Sequence, residues 1–129
     1  MLKFNKPILL FIPCYNCENY IIDILKNIPK DIFEYIHCLT IDNNSSDKTI
    51  SNIQRYFESN KINFDFNLIK SKKNMGYAGN QKLAFSIATE NQNVKHIIML
   101  HGDGQYPSKL LKFFKPYFND NYAIISGFR

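Results

Sequence analysis

The sequence has no tryptophan, no apolar run long enough to cross a bilayer, and no signal-peptide pattern at its start. These absences argue against a membrane-spanning helix and a secreted origin, and cytoplasmic residence is the expectation. Its 3 cysteines are an odd number and make no disulfide framework. Neither G-x-G-x-x-G after a strand nor G-x-x-x-x-G-K-[ST] occurs, so the backbone cradles for a dinucleotide and for a nucleoside triphosphate are missing. Dehydrogenase and P-loop readings fall with them. There is also no internal repeat, low-complexity tract or linker, so residues 1–129 read as a single domain. That length buries a core but is small for a complete two-substrate enzyme.

What is present is globular in character, with 45% hydrophobic and 15% aromatic residues. The net charge of +5 comes from 16 Lys and Arg against 11 Asp and Glu, and the lysines are scattered. Such an excess suits phosphate-bearing ligands or an anionic membrane surface, and no nucleic-acid partner is expected. "PILLFI" (7–12) is a continuous apolar run, the pattern of a strand buried on both faces. Ile21, Ile22, Leu25 and Ile28 then follow at helical spacing up to Pro29. "YIHCLTI" (35–41), "FDFNLIK" (64–70), "VKHIIML" (94–100) and a final "YAIIS" read as further strands, separated by helical stretches of about 10 to 15 residues. The fold class is therefore α/β: a Rossmann-like, largely parallel sheet with helices on both faces. In "PSKLLKFFKPYF", Leu110, Leu111, Phe114, Tyr117 and Phe118 share one helical face, which predicts a core-facing helix in preference to a membrane-lying one.

In doubly wound sheets, ligands bind beyond the carboxyl ends of the strands. The richest of these loops is "HGDGQYP". If the segment is extended, His101, Asp103 and Gln105 project to one side, and Gly102 and Gly104 leave room for close approach. A carboxylate, an imidazole and an amide oxygen can share a divalent cation with phosphate oxygens and water. The alternative is a glycine-rich turn whose Asp103 bonds nearby backbone amides. In "IDNNSSDKT", Asp42, Asn43, Ser45 and Asp47 could read a base or ribose, but Ser46 or Asp47 is favoured as a helix cap. Cys14 and Cys17 in "IPCYNCENYI" have the spacing of a redox pair before a helix, though no tryptophan flanks them.

Four of these stretches together resemble glycosyltransferase family 2. "ILLFIPCYNCENYI" resembles its opening strand and Tyr-Asn-Glu turn, and "IDNNSSDKT" its D-D-x-S-x-D-x-T turn. "NMGYAGNQKLAF" is similar to its Asn-x-Gly loop, and "MLHGDGQYP" to its D-x-D motif in the His-first variant associated with polyprenol-phosphate and dolichol-phosphate sugar transferases. The resemblance implies a GT-A fold lacking the C-terminal acceptor part. It implies nucleotide contacts at Pro13, Tyr15, Asn16, Asp42, Asn43, Ser45, Gly76, Lys82 and Asp103. It also implies a metal, Mn²⁺ or Mg²⁺, held by Asp103, His101 and Gln105, and a phosphate contact at Arg129. The His at the first position favours Mn²⁺ at least as much as Mg²⁺. For Lys82, solvation of an exposed helix face is the favoured alternative. Asn43 stands where the family usually has Asp, which leaves uracil and guanine both open, and Cys17 stands where it usually has Glu.

The implied partner is a UDP- or GDP-linked sugar, transferred with inversion to a lipid phosphate or glycan. The catalytic base and acceptor pocket are expected beyond Arg129, and membrane contact through a lipid acceptor would place the enzyme at the inner membrane face. Two rivals are a non-catalytic nucleotide-binding domain and a nucleotidyltransferase. The latter should carry a basic, glycine-rich loop after the first strand, and "PCYNCEN" is no such loop.

Overall fold

The computed structural model describes residues 2–59 and 62–121. Strands β1 (Ile8–Cys14), β2 (Ile36–Asp42), β3 (Asp65–Lys70) and β4 (His96–Met99) alternate with helices α1 (Ile21–Lys26), α2 (Thr49–Ser59) and α3 (Gly76–Thr89). Short 3₁₀ segments occupy Lys30–Ile32 and Ser108–Tyr117. All strand pairs are parallel, in the order β3-β2-β1-β4. The expected strand at 122–126 and the expected phosphate contact Arg129 lie outside the described residues.

The continuous apolar run of β1 is explained by its central position. Ile8, Leu9, Leu10, Phe11 and Ile12 are all fully buried, each contributing roughly 1.5–3 kcal/mol relative to exposure. Alternate side chains enter different layers. Ile8, Leu10, Ile12 and Cys14 pack with Ile21, Leu25 and Ile53 from α1 and α2, whereas Leu9 and Phe11 pack with Ala84 and Ala88 of α3. The small Ala84 and Ala88, four residues apart, let α3 lie close on the sheet.

Two expectations change at element ends. β1 continues through Pro13 to Cys14, pairing with Ile41 and Asp42 of β2. Proline is tolerated there because its nitrogen faces the β4 side, where strand pairing has already stopped at Met99, while its carbonyl still accepts from Gly102 N–H at 3.1 Å. The segment expected as a core-facing α-helix is 3₁₀ instead, with Pro116 inside it. Phe114 of the expected face still packs, partly buried, against the core. Leu111 and Phe118 are buried, but Leu110 and Tyr117 are exposed along with Phe113.

Candidate functional site

The chain order reverses at β1: β2 and β3 extend the sheet to one side, and β4 pairs on the other. The loops leaving β1 and β4 diverge there, and a crevice opens at the carboxyl end of the sheet, the place where such folds bind ligands. The crevice is a cleft of about 280 Å³. Of the residues expected at a nucleotide or metal, Pro13, Tyr15, Asn43, Gly76, His101 and Asp103 line it, together with Cys14, Cys17, Asn74, Tyr77, Asn80 and Gly102. A larger cavity of about 660 Å³ lies at the amino ends of β1 and β3 and takes in none of the expected site residues.

The cleft walls are held by bonds between loops about 30 residues apart. Asn16, at φ 48°, donates its N–H to Ser45 Oγ at 2.9 Å and accepts from Ser46 N–H at 3.0 Å. Glu18 and Asp47 clasp reciprocally: Glu18 N–H donates to Asp47 (3.0 Å) and Lys48 N–H to Glu18 (2.8 Å). Asp47 also accepts from Thr49 N–H at 2.9 Å, so the capping expectation holds for α2. Slight burial pushes the Asp47 carboxyl up, but bonds from the Thr49 side chain and from the Thr49 and Glu18 amides outweigh it and hold the group below the usual carboxylate range.

Three residues expected at the nucleotide have side-chain polar atoms bonded within the protein. Asp42 is fully buried, and both carboxylate oxygens accept from Ser45, one from its N–H at 3.0 Å and one from its hydroxyl. Ser45 is thereby committed to Asp42 and Asn16. Asn43 lines the cleft, yet both ends of its amide are used: Nδ2 donates to Asn74 Oδ1 and Oδ1 accepts from Met75 N–H, each at 2.8 Å. Asn74 Oδ1 also accepts from Gly76 N–H at 2.8 Å, fixing the entry to α3, where Gly76 takes φ +70°. Asn80 donates to the Ile41 carbonyl at 3.1 Å from the first turns of the same helix. Lys82 is exposed further along α3 and does not line the cleft, which agrees with simple solvation.

The loop after β4 is a turn instead of the extended segment expected. Asp103 Oδ1 accepts from Gln105 N–H at 3.1 Å, and Gly104 adopts φ +78°. His101, Asp103 and Gln105 therefore do not alternate to one side, and Gln105 does not line the cleft. Gly102 is required by close approach: a Cβ there would stand 2.7 Å from Pro13 O, 3.0 Å from Cys14 Sγ and 3.3 Å from Cys17 Sγ. His101 lies between the rings of Tyr77 and Tyr106, with centroids at 5.7 and 5.6 Å, and its Nε2 is 3.5 Å from Tyr77 Oη.

No group of three or more His, Cys, Asp or Glu side chains able to hold a metal occurs among the described residues. The donors present, the His101 imidazole and the exposed Asp103 carboxylate, fit a cation shared with a diphosphate and water, not a site completed by protein alone.

Asn74 is the Asn of the Asn-x-Gly loop, while Tyr77 and Asn80 lie in the same quoted stretch with no role of their own assigned from sequence. Asn80 interrupts the small-residue row Asn80, Ala84, Ala88, and a buried amide in that row is the signal that could have marked it. At the cleft floor, Cys14 and Cys17 are buried free thiols. The Cys14 thiol, which hydrogen-bonds to Cys17 and is buried, is raised well above its ordinary value, and the same bond lowers Cys17.

Solved structures share this architecture. Over 92% of the chain, the mannosyltransferase PcManGT from Pyrobaculum calidifontis, in complex with GDP-Man and Mn²⁺, superposes with a TM-score of 0.68 at 20% identity. S. aureus TarS 1-349 in complex with UDP superposes over 88% of the chain at 0.65 and 18% identity. The chain spans 34% and 32% of those two molecules and 19% of the longer TarS structure. No curated protein matches the sequence. The fold is the Rossmann-like GT-A fold. The family model for "Glycosyl transferase family 2" matches residues 10–129, nearly the whole chain, and the chain belongs to that family.

Proposed function

We propose that this chain is the donor-binding part of a metal-dependent, inverting glycosyltransferase that takes a UDP- or GDP-linked sugar. The observation that carries this reading is the cleft at the β1/β4 reversal, which gathers Tyr15, Tyr77, His101 and Asp103 at one sheet edge. Two related folds are known with UDP or UDP-GlcNAc and with GDP-Man bound, which supports a nucleotide sugar as the ligand class.

The half-exposed Tyr15 and Tyr77 rings offer faces for the base or sugar. His101 and Asp103 would hold Mn²⁺ or Mg²⁺, which neutralises charge developing on a leaving diphosphate. Tyr77, through its contact with His101, orients the imidazole. The acceptor is a lipid phosphate or a glycan, reached on the cytoplasmic side of the membrane. A lipid phosphate arrives already ionised, while a hydroxyl acceptor needs a general base.

Calorimetric titration with UDP and GDP, each with Mn²⁺, with Mg²⁺ and with chelator, tests the reading. Binding of one diphosphate that strengthens with metal and weakens in Asp103→Asn is the expected result. Failure of both nucleotides to bind under every metal condition would refute it.

A further inference from the structure

We propose that Cys14 and Cys17 form a peroxide-sensitive dithiol whose oxidation to a disulfide closes the cleft to nucleotide. This inference rests on the reading of the cleft as the donor site.

Both thiols line the cleft, and the donor chemistry assigned above uses neither of them. Their sulfurs flank one point: the Cβ position of Gly102 lies 3.0 Å from Cys14 Sγ and 3.3 Å from Cys17 Sγ. The C-x-x-C spacing closes a short loop of the kind in which dithiol pairs form. The third cysteine does not compete. Cys38 pairs with Leu10, whereas Cys14 pairs with Asp42, four residues and about 13 Å along the strand.

The chemistry balances with hydrogen peroxide as oxidant. The Cys17 sulfur, the more acidic of the pair, attacks one peroxide oxygen; an S–O bond forms, the O–O bond breaks, and hydroxide leaves as water with the thiol proton. The Cys14 sulfur then attacks Cys17; the S–S bond forms, the S–O bond breaks, and the second oxygen departs as water with the Cys14 proton. Two thiols are oxidised and one peroxide is reduced to two waters.

Disulfide formation acts on the site through Gly102. Its N–H is held on Pro13 O at 3.1 Å, and it sits against both sulfurs between His101 and Asp103. Drawing the sulfurs to a bond of about 2.05 Å rearranges the surface on which that turn rests. The Cys17 backbone resists the movement, because its N–H is tied to Thr49 Oγ1 at 2.9 Å, so the displacement is passed to the turn carrying His101 and Asp103.

The test treats the full chain with peroxide, blocks remaining thiols with an alkylating agent, maps the cysteines by peptide mass, and measures UDP and GDP affinity with Mn²⁺ before and after. Expected are a Cys14–Cys17 disulfide with Cys38 still alkylated, and an affinity loss of about tenfold or more that a dithiol reductant reverses. Cys17→Ser, whatever its starting affinity, should show no peroxide effect. Absence of the mapped disulfide overturns the proposal, as does unchanged affinity once it has formed. If the reduced protein binds neither nucleotide, the donor-site reading fails and the switch falls with it, whereas binding that survives a mapped disulfide sinks the switch alone.

Discussion

Replacing Gly102 by alanine inserts one methyl group into the tightest contact of the cleft. The new carbon would stand 2.7 Å from Pro13 O and 3.0 Å from Cys14 Sγ. The carbonyl cannot swing away cheaply, since it accepts the Gly102 N–H and belongs to a strand paired with β2 through Cys14. The substitution therefore has to displace the turn after β4, and overpacking of this kind costs about 1–3 kcal/mol. For a chain of this size, each kcal/mol lowers Tm by about 3–6 °C. The same movement carries His101 and Asp103, so nucleotide affinity should fall together with Tm. Gly76→Ala is the comparison: nothing lies within 4 Å of its added Cβ, and only the strain of φ +70° remains, about 1–2 kcal/mol. Differential scanning fluorimetry and calorimetry on both variants separate the two costs. A Gly102→Ala protein with wild-type Tm and wild-type nucleotide affinity would refute the assignment of Gly102 as the packing pivot of the site.

Asn43→Asp should destabilise the chain by about 1–3 kcal/mol in denaturant titration, because an acceptor would then face Asn74 Oδ1, which already accepts from Gly76. Asp47→Ala removes the acceptor for Thr49 N–H and Glu18 N–H and should cost about 1 kcal/mol near neutral pH. The Asp47 carboxyl is held low, so its contribution is present above the ordinary aspartate value and is lost as pH falls through its lower folded value; the variant should show a shallower acid limb between pH 5 and 2, by about the cap's worth. Burial lowers the His37 imidazole despite its bond to Asn67. A lowered histidine contributes fully above its unfolded value of about 6.5 and loses that contribution as pH falls below it. Urea midpoints at pH 7.5 and 5.5 should therefore decline more in wild type than in His37→Leu, and equal slopes would remove His37 from the account.

Much of the fold is legible in the chain because burial on both faces leaves a plain mark. The apolar run of β1 could belong only to a central strand, and the helical spacing between runs implied crossovers and a parallel sheet. The Ser108–Tyr117 segment misled because its apolar residues fit a 3.6-residue repeat, while Pro116 and the i+3 bonds impose three residues per turn. Leu110 and Tyr117, at the margins of the expected face, are exposed, while Leu111, Phe114 and Phe118 keep to the core. Pro13 misled in the other direction: a proline commonly ends a strand, and here its missing N–H falls where no partner strand remains.

The site divides along the same line. Sequence alone determined that the polar loops after β1, β2 and β4 share one edge of the sheet, because polar residues that follow buried strands collect at one sheet edge in any parallel fold. It also determined the cysteine pair and the glycines beside Asp103. Tertiary structure alone decided which polar residues face the cleft and which build its walls. Asp42, Ser45 and Asn16 look like ligand contacts in the chain, yet their hydrogen bonds close on one another. Tyr77 and Asn80 look unremarkable, yet α3 carries them into the cleft. Residue type and local spacing specify what a side chain can bond to; the bonds of Asn16 and Asn43 run to partners about 30 residues away, and only the packed sheet brings those partners within reach.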